Sequence, residues 1–263
     1  MQTLIVVALF LGTVLVVVLA IEAGFRLGSS VRRRTEDEKE SPVSAIAGSV
    51  LGLLAFILAF TFAIVSERYD ARKGLVREEA NAIRTAFLRS EFLPESDRGE
   101  AAKLFRRYLE VRLEATASLD LERVNAALVE SARIHKQLWD MAVANARKDM
   151  NSDVAALYIE SLNEVINVNA MRVAVALQTR VPLGIWLVLY ALIILGMAAV
   201  GYQTGIAGSR RTWAIWVLAI SFSLVIALIA ALDQPHSGYV PVSQQPLIDL
   251  RDAMGAGVGR GAP

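Results

Sequence analysis

The chain has 263 residues, of which 55% are hydrophobic, and it carries a net charge of +1 with a mean hydropathy of +0.46. A composition this apolar, with the charges confined to a few stretches, is typical of an integral membrane protein. The near-zero net charge leaves no electrostatic basis for binding nucleic acid, so we expect no such partner. The absence of cysteine excludes disulfides and thiolate metal sites.

Four apolar stretches are long enough to cross the hydrocarbon core of a bilayer, which takes about 20 helical residues. The first differs from a secretory signal because no basic residue precedes it and because it exceeds an h-region of about 7 to 15 residues. We therefore predict four transmembrane helices in a lipid bilayer, over residues 3–24, 44–65, 182–206 and 213–232.

The second span leads directly into a charged segment. Residues 41–66 carry no charge, and residues 67–73 follow with neither a proline nor a turn signal at the join. We expect a single helix to leave the bilayer here without a break. Within the span, Gly48 and Gly52 form a small-xxx-small pair. Such a pair favours close packing with another helix, either of the same protomer or of a second copy.

Six charged residues at the start of the extramembrane helix are candidates for a vestibule. Rings of charged side chains set ion selectivity in pores. The alternative, which we favour, is a solvated helix surface with local ion pairs. The six residues are Glu67, Arg68, Asp70, Arg72, Glu78 and Glu79.

The hydrophilic region between the second and third spans, residues 67–181, has a helical pattern almost throughout. Its predicted breaks, at residues 94–97, 118–120 and 151–152, each offer an N-cap residue for the next helix. We expect four helical pieces that pack through their apolar faces. Because proline is tolerated in the first turn of a helix, Pro182 is compatible with a third span that begins as a kinked continuation of the last piece.

The fold class is thus an all-α integral membrane protein with a helical extramembrane region. Residues 1–66 hold the first two spans and a basic loop, and residues 67–181 form the helical region. Residues 182–232 hold the last two spans, and residues 233–263 form a C-terminal tail that is rich in glycine from Gly255. We expect that glycine-rich end to be disordered.

Basic residues near the span ends predict the orientation in the membrane. Their density is greatest in the loops after the first and third spans, which places these loops inside. The helical region and both termini are then outside, in the periplasm or extracellular space. The basic residues of the two loops are Arg26, Arg32, Arg33, Arg34, Lys39, Arg210 and Arg211.

No motif of an enzyme is present. The sequence has no glycine-rich phosphate loop, zinc-ligand motif or nucleophile elbow. The two histidines, His135 and His236, have no paired ligands at a useful spacing. We therefore predict no catalytic activity, no cofactor and no metal site.

Two segments resemble the bacterial bestrophin-like family. One is the phenylalanine-rich end of the second span from Leu54, which closes in the element Arg68-Tyr-Asp-Ala-Arg72. The other is Leu232-Asp-Gln-Pro-His-Ser-Gly, followed by Val242-Ser-Gln-Gln-Pro-Leu. The family is named for a distant similarity to bestrophins, which are pentameric ion channels. The resemblance implies a bacterial inner-membrane protein that forms homo-oligomers, with five subunits as in bestrophins, and that has ions as possible partners.

The resemblance also implies a pore constriction. When Arg68 is placed on the arginine of the bestrophin Arg-Trp-Trp element, Phe60 and Phe56 fall on two apolar residues that narrow the bestrophin pore, and Gly52 falls on a third. Residues spaced by four share a helix face, so copies around an axis would form stacked apolar rings that gate by dewetting. The alternative is that these phenylalanines contact lipid or pack. The acidic calcium clasp of animal bestrophins is absent, so calcium gating is not expected.

Two functions follow from these patterns. The first is a homo-oligomeric channel whose axis is lined by the second span. The alternative is a non-conducting, membrane-anchored sensor or scaffold whose helical region binds a partner.

The two lines of reasoning on orientation disagree, because the corresponding region of bestrophins is cytosolic whereas the charge pattern places it outside. We follow the charge pattern.

Overall fold

The computed structural model describes residues 2–33, 40–117, 120–178, 180–208, 213–234 and 240–256. These residues form helices and connecting segments without any strand, which confirms the all-α prediction. A short 3-10 turn, Ser90–Phe92, follows the second helix. The helices are α1 (Gln2–Arg32), α2 (Glu40–Arg89), α3 (Glu95–Ala117), α4 (Leu121–Ala146), α5 (Asp153–Gln178), α6 (Leu183–Ala207), α7 (Ala214–Asp233) and α8 (Gln245–Ala256).

Four of these helices are long and apolar enough to cross a membrane: α1, α2, α6 and α7. The prediction of four transmembrane helices is thereby confirmed. The unbroken exit of the second span is confirmed as well, because α2 is one helix of 50 residues. At a rise of 1.5 Å per residue such a helix is about 75 Å long, well beyond a hydrocarbon core of about 30 Å.

The chain forms two compact units. The first consists of Met1–Tyr69 and Arg180–Pro241, and the second of Asp70–Thr179 and Val242–Pro263. The hydrophobic core of the first unit is formed mainly by apolar side chains of the spans. Its fully buried members are Val17, Leu54, Val65, Leu189, Ile193, Met197, Ala219, Ile226 and Ile229.

Helices α1 and α6 pack backbone against backbone in the first unit. A Cβ atom added at Gly24 would overlap the carbonyl group of Ala198, and one added at Gly201 would overlap that of Ile21. Gly28 and Gly205, one turn further along each helix, approach the opposite backbone in the same way. Small residues are what allow membrane helices to come this close, so dispersion contacts can hold them together.

The second unit is a helical bundle whose boundaries follow the predicted breaks. Asp120 caps α4 by accepting a hydrogen bond from the backbone N–H of Glu122 at 3.0 Å, and the Ser152 hydroxyl accepts one from the N–H of Ala155 at 3.2 Å. These caps satisfy donors that the first turn leaves free. The fully buried core residues include Ile83, Phe105, Tyr108, Leu109, Ile134, Leu138, Leu162 and Val165.

The prediction that residues 233–263 form a tail is only partly compatible with the structure. Residues 245–256 form α8, whose Leu247, Leu250 and Met254 are buried in the core of the second unit. Arg106 Nη2 also donates a hydrogen bond to the carbonyl oxygen of Met254 at 3.3 Å. Residues 257–263, most of the glycine-rich end, lie outside the described residues.

The third span is a separate helix rather than a kinked continuation of α5. Helix α5 ends at Gln178, and Pro182 stands at the N-cap of α6 in an extended conformation with ψ 142°. Proline disfavours a helical conformation of the residue before it, here Val181, so the two helices are interrupted at this point.

Of the residues named above for orientation and metal binding, Arg34, Lys39, Arg210, Arg211 and His236 lie outside the described ranges.

Candidate functional site

The face of α2 that carries the predicted constriction is uncovered in the protomer. Phe56 and Phe60 are 57% and 56% exposed, and their ring centroids lie 4.7 Å apart. Leu54 and Leu58, which lie on other faces of the same helix, are buried in the core of the first unit. Helix α2 therefore packs with one side and presents an aromatic pair on another.

The glycine pair of α2 does not pack within the protomer. A Cβ atom added at Gly48 or Gly52 would meet no atom within 4 Å. Among the described residues, this pair therefore brings no second helix of the protomer close. Packing against a second copy stays a prediction. Because Gly48, Gly52, Phe56 and Phe60 are spaced by four, they share the uncovered face.

The six charged residues after the second span have different environments. Glu67, Asp70 and Glu78 are exposed, whereas Arg68 and Arg72 are half-buried. Asp70 forms a surface ion pair with Lys73 at 3.6 Å, three residues further along the helix. Exposed pairs of this kind contribute about 0.2 to 1 kcal/mol at most sites.

Glu79 differs from the prediction for this segment, because it is fully buried in the second unit and touches no solvent. It therefore lines neither a water-filled vestibule nor a solvated surface within the protomer. The carboxylate can be buried because hydrogen-bonding partners from other helices replace the water around it.

Three donors surround the Glu79 carboxylate. The hydroxyl of Tyr108 and Nε of Arg112, both on α3, donate to Oε1 at 2.9 Å each. Arg172 on α5 forms an ion pair with Oε2 and donates from Nη2 to Oε1 of Gln244 at 3.1 Å. This polar cluster connects α2, α3, α5 and the segment before α8. Charged hydrogen bonds of this kind are about twice as strong as neutral ones.

Burial shifts the pKa values of the cluster in the expected directions. It raises the pKa of Tyr108 to about 12 despite the neighbouring Arg112. It lowers the pKa of Arg112, with partial compensation by Tyr108, and it lowers the pKa of Arg172 to about 10. Tyr108 stays protonated at neutral pH, and guanidinium groups are not deprotonated in proteins, so Arg112 and Arg172 both carry their charge inside the bundle.

His135 on α4 packs against this cluster, with its ring centroid 4.7 Å from that of Tyr108. Burial, together with the charge of Arg112, lowers the pKa of His135 to about 4. The imidazole is therefore neutral at pH 7. Among the described residues, no group of three or more His, Asp or Glu side chains is placed to hold a metal ion.

A second polar junction lies at the end of the last span, in the first unit. The Asp233 carboxylate at the C-terminus of α7 accepts a hydrogen bond from the backbone N–H of Val181 at 3.0 Å and lies 3.6 Å from Nη1 of Arg68. A carboxylate is unfavourable at a helix C-terminus because of the helix dipole, and the Val181 N–H and the nearby charge of Arg68 compensate for it. Asp233 was not among the predicted site residues, since its partners are remote in sequence.

Comparison with known proteins assigns the chain to a family. The sequence profile of the Bestrophin-like domain matches residues 8–247, which is most of the chain. The chain belongs to the bestrophin-like family. A search of curated proteins found no significant match.

Solved structures of bacterial bestrophin homologues share the fold of this family member. A crystal structure of a mutated bestrophin homologue from Klebsiella pneumoniae has 16% sequence identity and a TM-score of 0.67, and the match covers 97% of this chain and 99% of that one. A second mutated form of the homologue has 17% identity and a TM-score of 0.66 over the same shares. At this identity the similarity establishes the fold of a bestrophin-like membrane protein. It assigns no role to individual residues.

Proposed function

We propose that the protein is a homo-oligomeric ion channel of a bacterial inner membrane, with its pore lined by α2. The observation that carries this proposal is the exposed, mutually contacting pair Phe56 and Phe60 on a transmembrane helix whose other side is packed. Membership of the bestrophin-like family supports the same function. Five copies are expected by analogy with bestrophins.

In this proposal Phe56 and Phe60 form two stacked apolar rings around the axis. Narrow apolar rings exclude water, so small movements of the aromatic side chains would open or close the path for hydrated ions. Gly52 would mark a wider third level, because it has no side chain to narrow the pore. Of the charged residues, Glu67, Asp70 and Glu78 stay candidates for the vestibule, since they are exposed.

The pore face is tested by introducing single cysteines into a chain that has none. We expect ion flux through liposomes containing Phe60→Cys to be blocked by a charged, membrane-impermeant thiol reagent. Phe62→Cys is the matched control. Phe62 is also an exposed aromatic residue of this span, but it lies about 200° around the helix from Phe60. A conducting Phe60→Cys channel that is insensitive to the reagent would contradict the proposed lining.

We also propose that the helical region is periplasmic, from the density of basic residues in the loops after the first and third spans. The exposed Ser96 at the start of α3 and the exposed Ser30 near the end of α1 are suitable positions for single cysteines. In intact cells we expect an impermeant thiol reagent to label Ser96→Cys and not Ser30→Cys. The reverse labelling pattern would place the helical region in the cytosol.

A further inference from the structure

The polar cluster of the second unit contains more positive than negative charge. Among the described residues, Glu79 is the one carboxylate paired with Arg112 or Arg172. The side chain of Glu79 is fully buried, and those of Arg112 and Arg172 are only 7% and 10% exposed. One carboxylate and two guanidinium groups leave a formal excess of +1. Buried charges are normally paired, because an unpaired one loses its hydration without compensation.

Two buried polar atoms of α4 have no hydrogen-bond partner among the described residues. They are Oγ of Ser131 and Nε2 of His135, both on α4. Ser131 is fully buried and His135 is 7% exposed, so neither atom has water as a ready substitute. The two residues are four apart and therefore lie on the same face of α4, one turn from each other. A buried polar group without a partner calls for an explanation, and an ion or water bound beside it is one such explanation.

The packing of α3 against α4 relates the position of these atoms to that of Arg112. The rings of Tyr108 and His135 are in contact. The two helices are consecutive and joined by a short connection, so they run antiparallel. Arg112 lies one turn after Tyr108, and Ser131 lies one turn before His135, which puts Arg112 and Ser131 at the same level. The charge of Arg112 also acts on His135, consistent with their proximity.

We propose that Arg112, Ser131 and His135 form a binding site for a small monovalent anion of the size of chloride. The Ser131 hydroxyl and Nε2–H of the neutral imidazole would donate hydrogen bonds to the anion, and Arg112 would supply the balancing charge. A single negative charge neutralises the excess of +1. A water molecule would satisfy the two donors but would leave the charge unbalanced, and a divalent anion would overcompensate it. The proposal of this site does not depend on the proposal that α2 lines a pore.

The test is thermal unfolding of the purified full-length protein in detergent, with chloride replaced by gluconate at constant ionic strength. We expect the midpoint temperature to rise with the logarithm of chloride concentration above the dissociation constant. Bromide should substitute for chloride. Because the readout is stability, its result does not depend on whether the protein conducts ions. A midpoint that is the same in chloride and gluconate would overturn the proposal.

Variants distinguish this site from general salt effects. Ser131→Ala and His135→Leu should weaken or abolish the chloride dependence. Ser161→Ala is the matched control, because Ser161 is a buried serine of the same unit whose hydroxyl already donates to the carbonyl oxygen of Tyr158 at 2.8 Å. It should keep the full chloride dependence even if it lowers the midpoint. Chloride dependence that survives in Ser131→Ala and His135→Leu would argue against the site.

A crystal grown or soaked in bromide provides a direct test that needs no variant. We expect an anomalous-scattering peak within hydrogen-bonding distance of Ser131 Oγ and His135 Nε2. A map with only a water molecule, or with nothing, at this position would refute the assignment.

Discussion

The Glu79 carboxylate accepts hydrogen bonds from Tyr108 and Arg112 and forms an ion pair with Arg172, so its charge is well compensated inside the bundle. Glu79→Gln removes the negative charge and leaves both guanidinium groups buried without a carboxylate. We expect the free energy of unfolding to fall by about 3 to 5 kcal/mol, the range for breaking a buried ion pair. The measurement is denaturant-induced unfolding of the detergent-solubilised protein.

Glu78→Gln is the matched control for this change. Glu78 is the adjacent residue of α2 and is exposed, so its substitution should alter the free energy of unfolding by no more than about 0.5 kcal/mol. Equal losses in the two variants would contradict the structural role assigned to the buried cluster.

His135 makes the stability of the protein depend on pH. Its pKa is about 4 when folded, against an ordinary value of 6.5. Between these values the unfolded chain binds a proton that the folded chain does not, so stability is lost as the pH falls from about 6.5 to about 4. The loss reaches about 3 kcal/mol. It arises because protonation would create a charge on a buried imidazole and would place that charge beside the cation Arg112, in a cluster that also includes Tyr108, Glu79 and Arg172.

The pH dependence is measured as the unfolding midpoint between pH 7 and pH 4 in a chloride-free buffer, so that the proposed anion site stays empty. His135→Leu should flatten the profile over this range. If the parent chain and His135→Leu lost stability in parallel, His135 would not be the titrating group.

The sequence around Glu79 contains a pattern that indicates burial, but the pattern becomes clear only once the structure is known. Val76, Ala80 and Ile83 are apolar residues at helical spacing around Glu79, and all three are buried. A carboxylate within such a stripe indicates a buried ion pair rather than a solvated surface. The identity of its partners was not predictable, because Arg112 and Arg172 are separated from Glu79 by more than thirty and ninety residues.

At the scale of whole elements, the glycine pairs show what a local motif can and cannot predict. The four spanning helices contain three such pairs spaced by four: Gly24 with Gly28, Gly48 with Gly52, and Gly201 with Gly205. The first and third pairs form the contact between α1 and α6, whereas the second meets no other helix in the part of the protomer that the structure describes. The motif predicts a surface suited to close approach. Which helix occupies that surface depends on tertiary or quaternary packing.

Gly201→Ala tests the contact between α1 and α6. The added Cβ would overlap the backbone of Ile21, so the helices would have to separate along their length. We expect a lower unfolding midpoint and a reduced yield of folded protein. Gly12→Ala is the control on α1, because a Cβ atom there meets nothing within 4 Å. A stable Gly201→Ala protein with an unchanged midpoint would contradict this packing.

The helices of the second unit were predictable to a good approximation because their ends carry local signals. Asp120 and Ser152 are N-cap residues, and Pro94 precedes the start of α3. Helix α8 was missed although Leu247, Leu250 and Met254 have the spacing of a buried helix face. It is short and follows a segment rich in turn-forming residues, so its stability comes from packing on the bundle rather than from its own propensity.

At the scale of the whole molecule, apolar surface on α2 is left uncovered by the protomer. Phe56 and Phe60 stand on a span, so they face lipid, the axis of an oligomer or another copy of the chain. Sequence patterns predicted the spans well, because an apolar run of about 20 residues is rare outside membrane-spanning helices. They cannot specify an oligomer, since the contacts that build it are made between copies. The channel proposal depends on such contacts between copies of the chain.

Ion flux through liposomes containing the purified protein tests the central claim most directly. The parent chain should conduct, and Phe56→Ala and Phe60→Ala should each increase flux or leak, because they widen the apolar rings and make them easier to wet. Phe62→Ala, on a different side of α2, should conduct as the parent does. Flux that is unchanged in both ring variants would contradict the proposed constriction. An absence of flux under all ionic conditions would contradict the channel itself and favour the membrane-anchored sensor or scaffold.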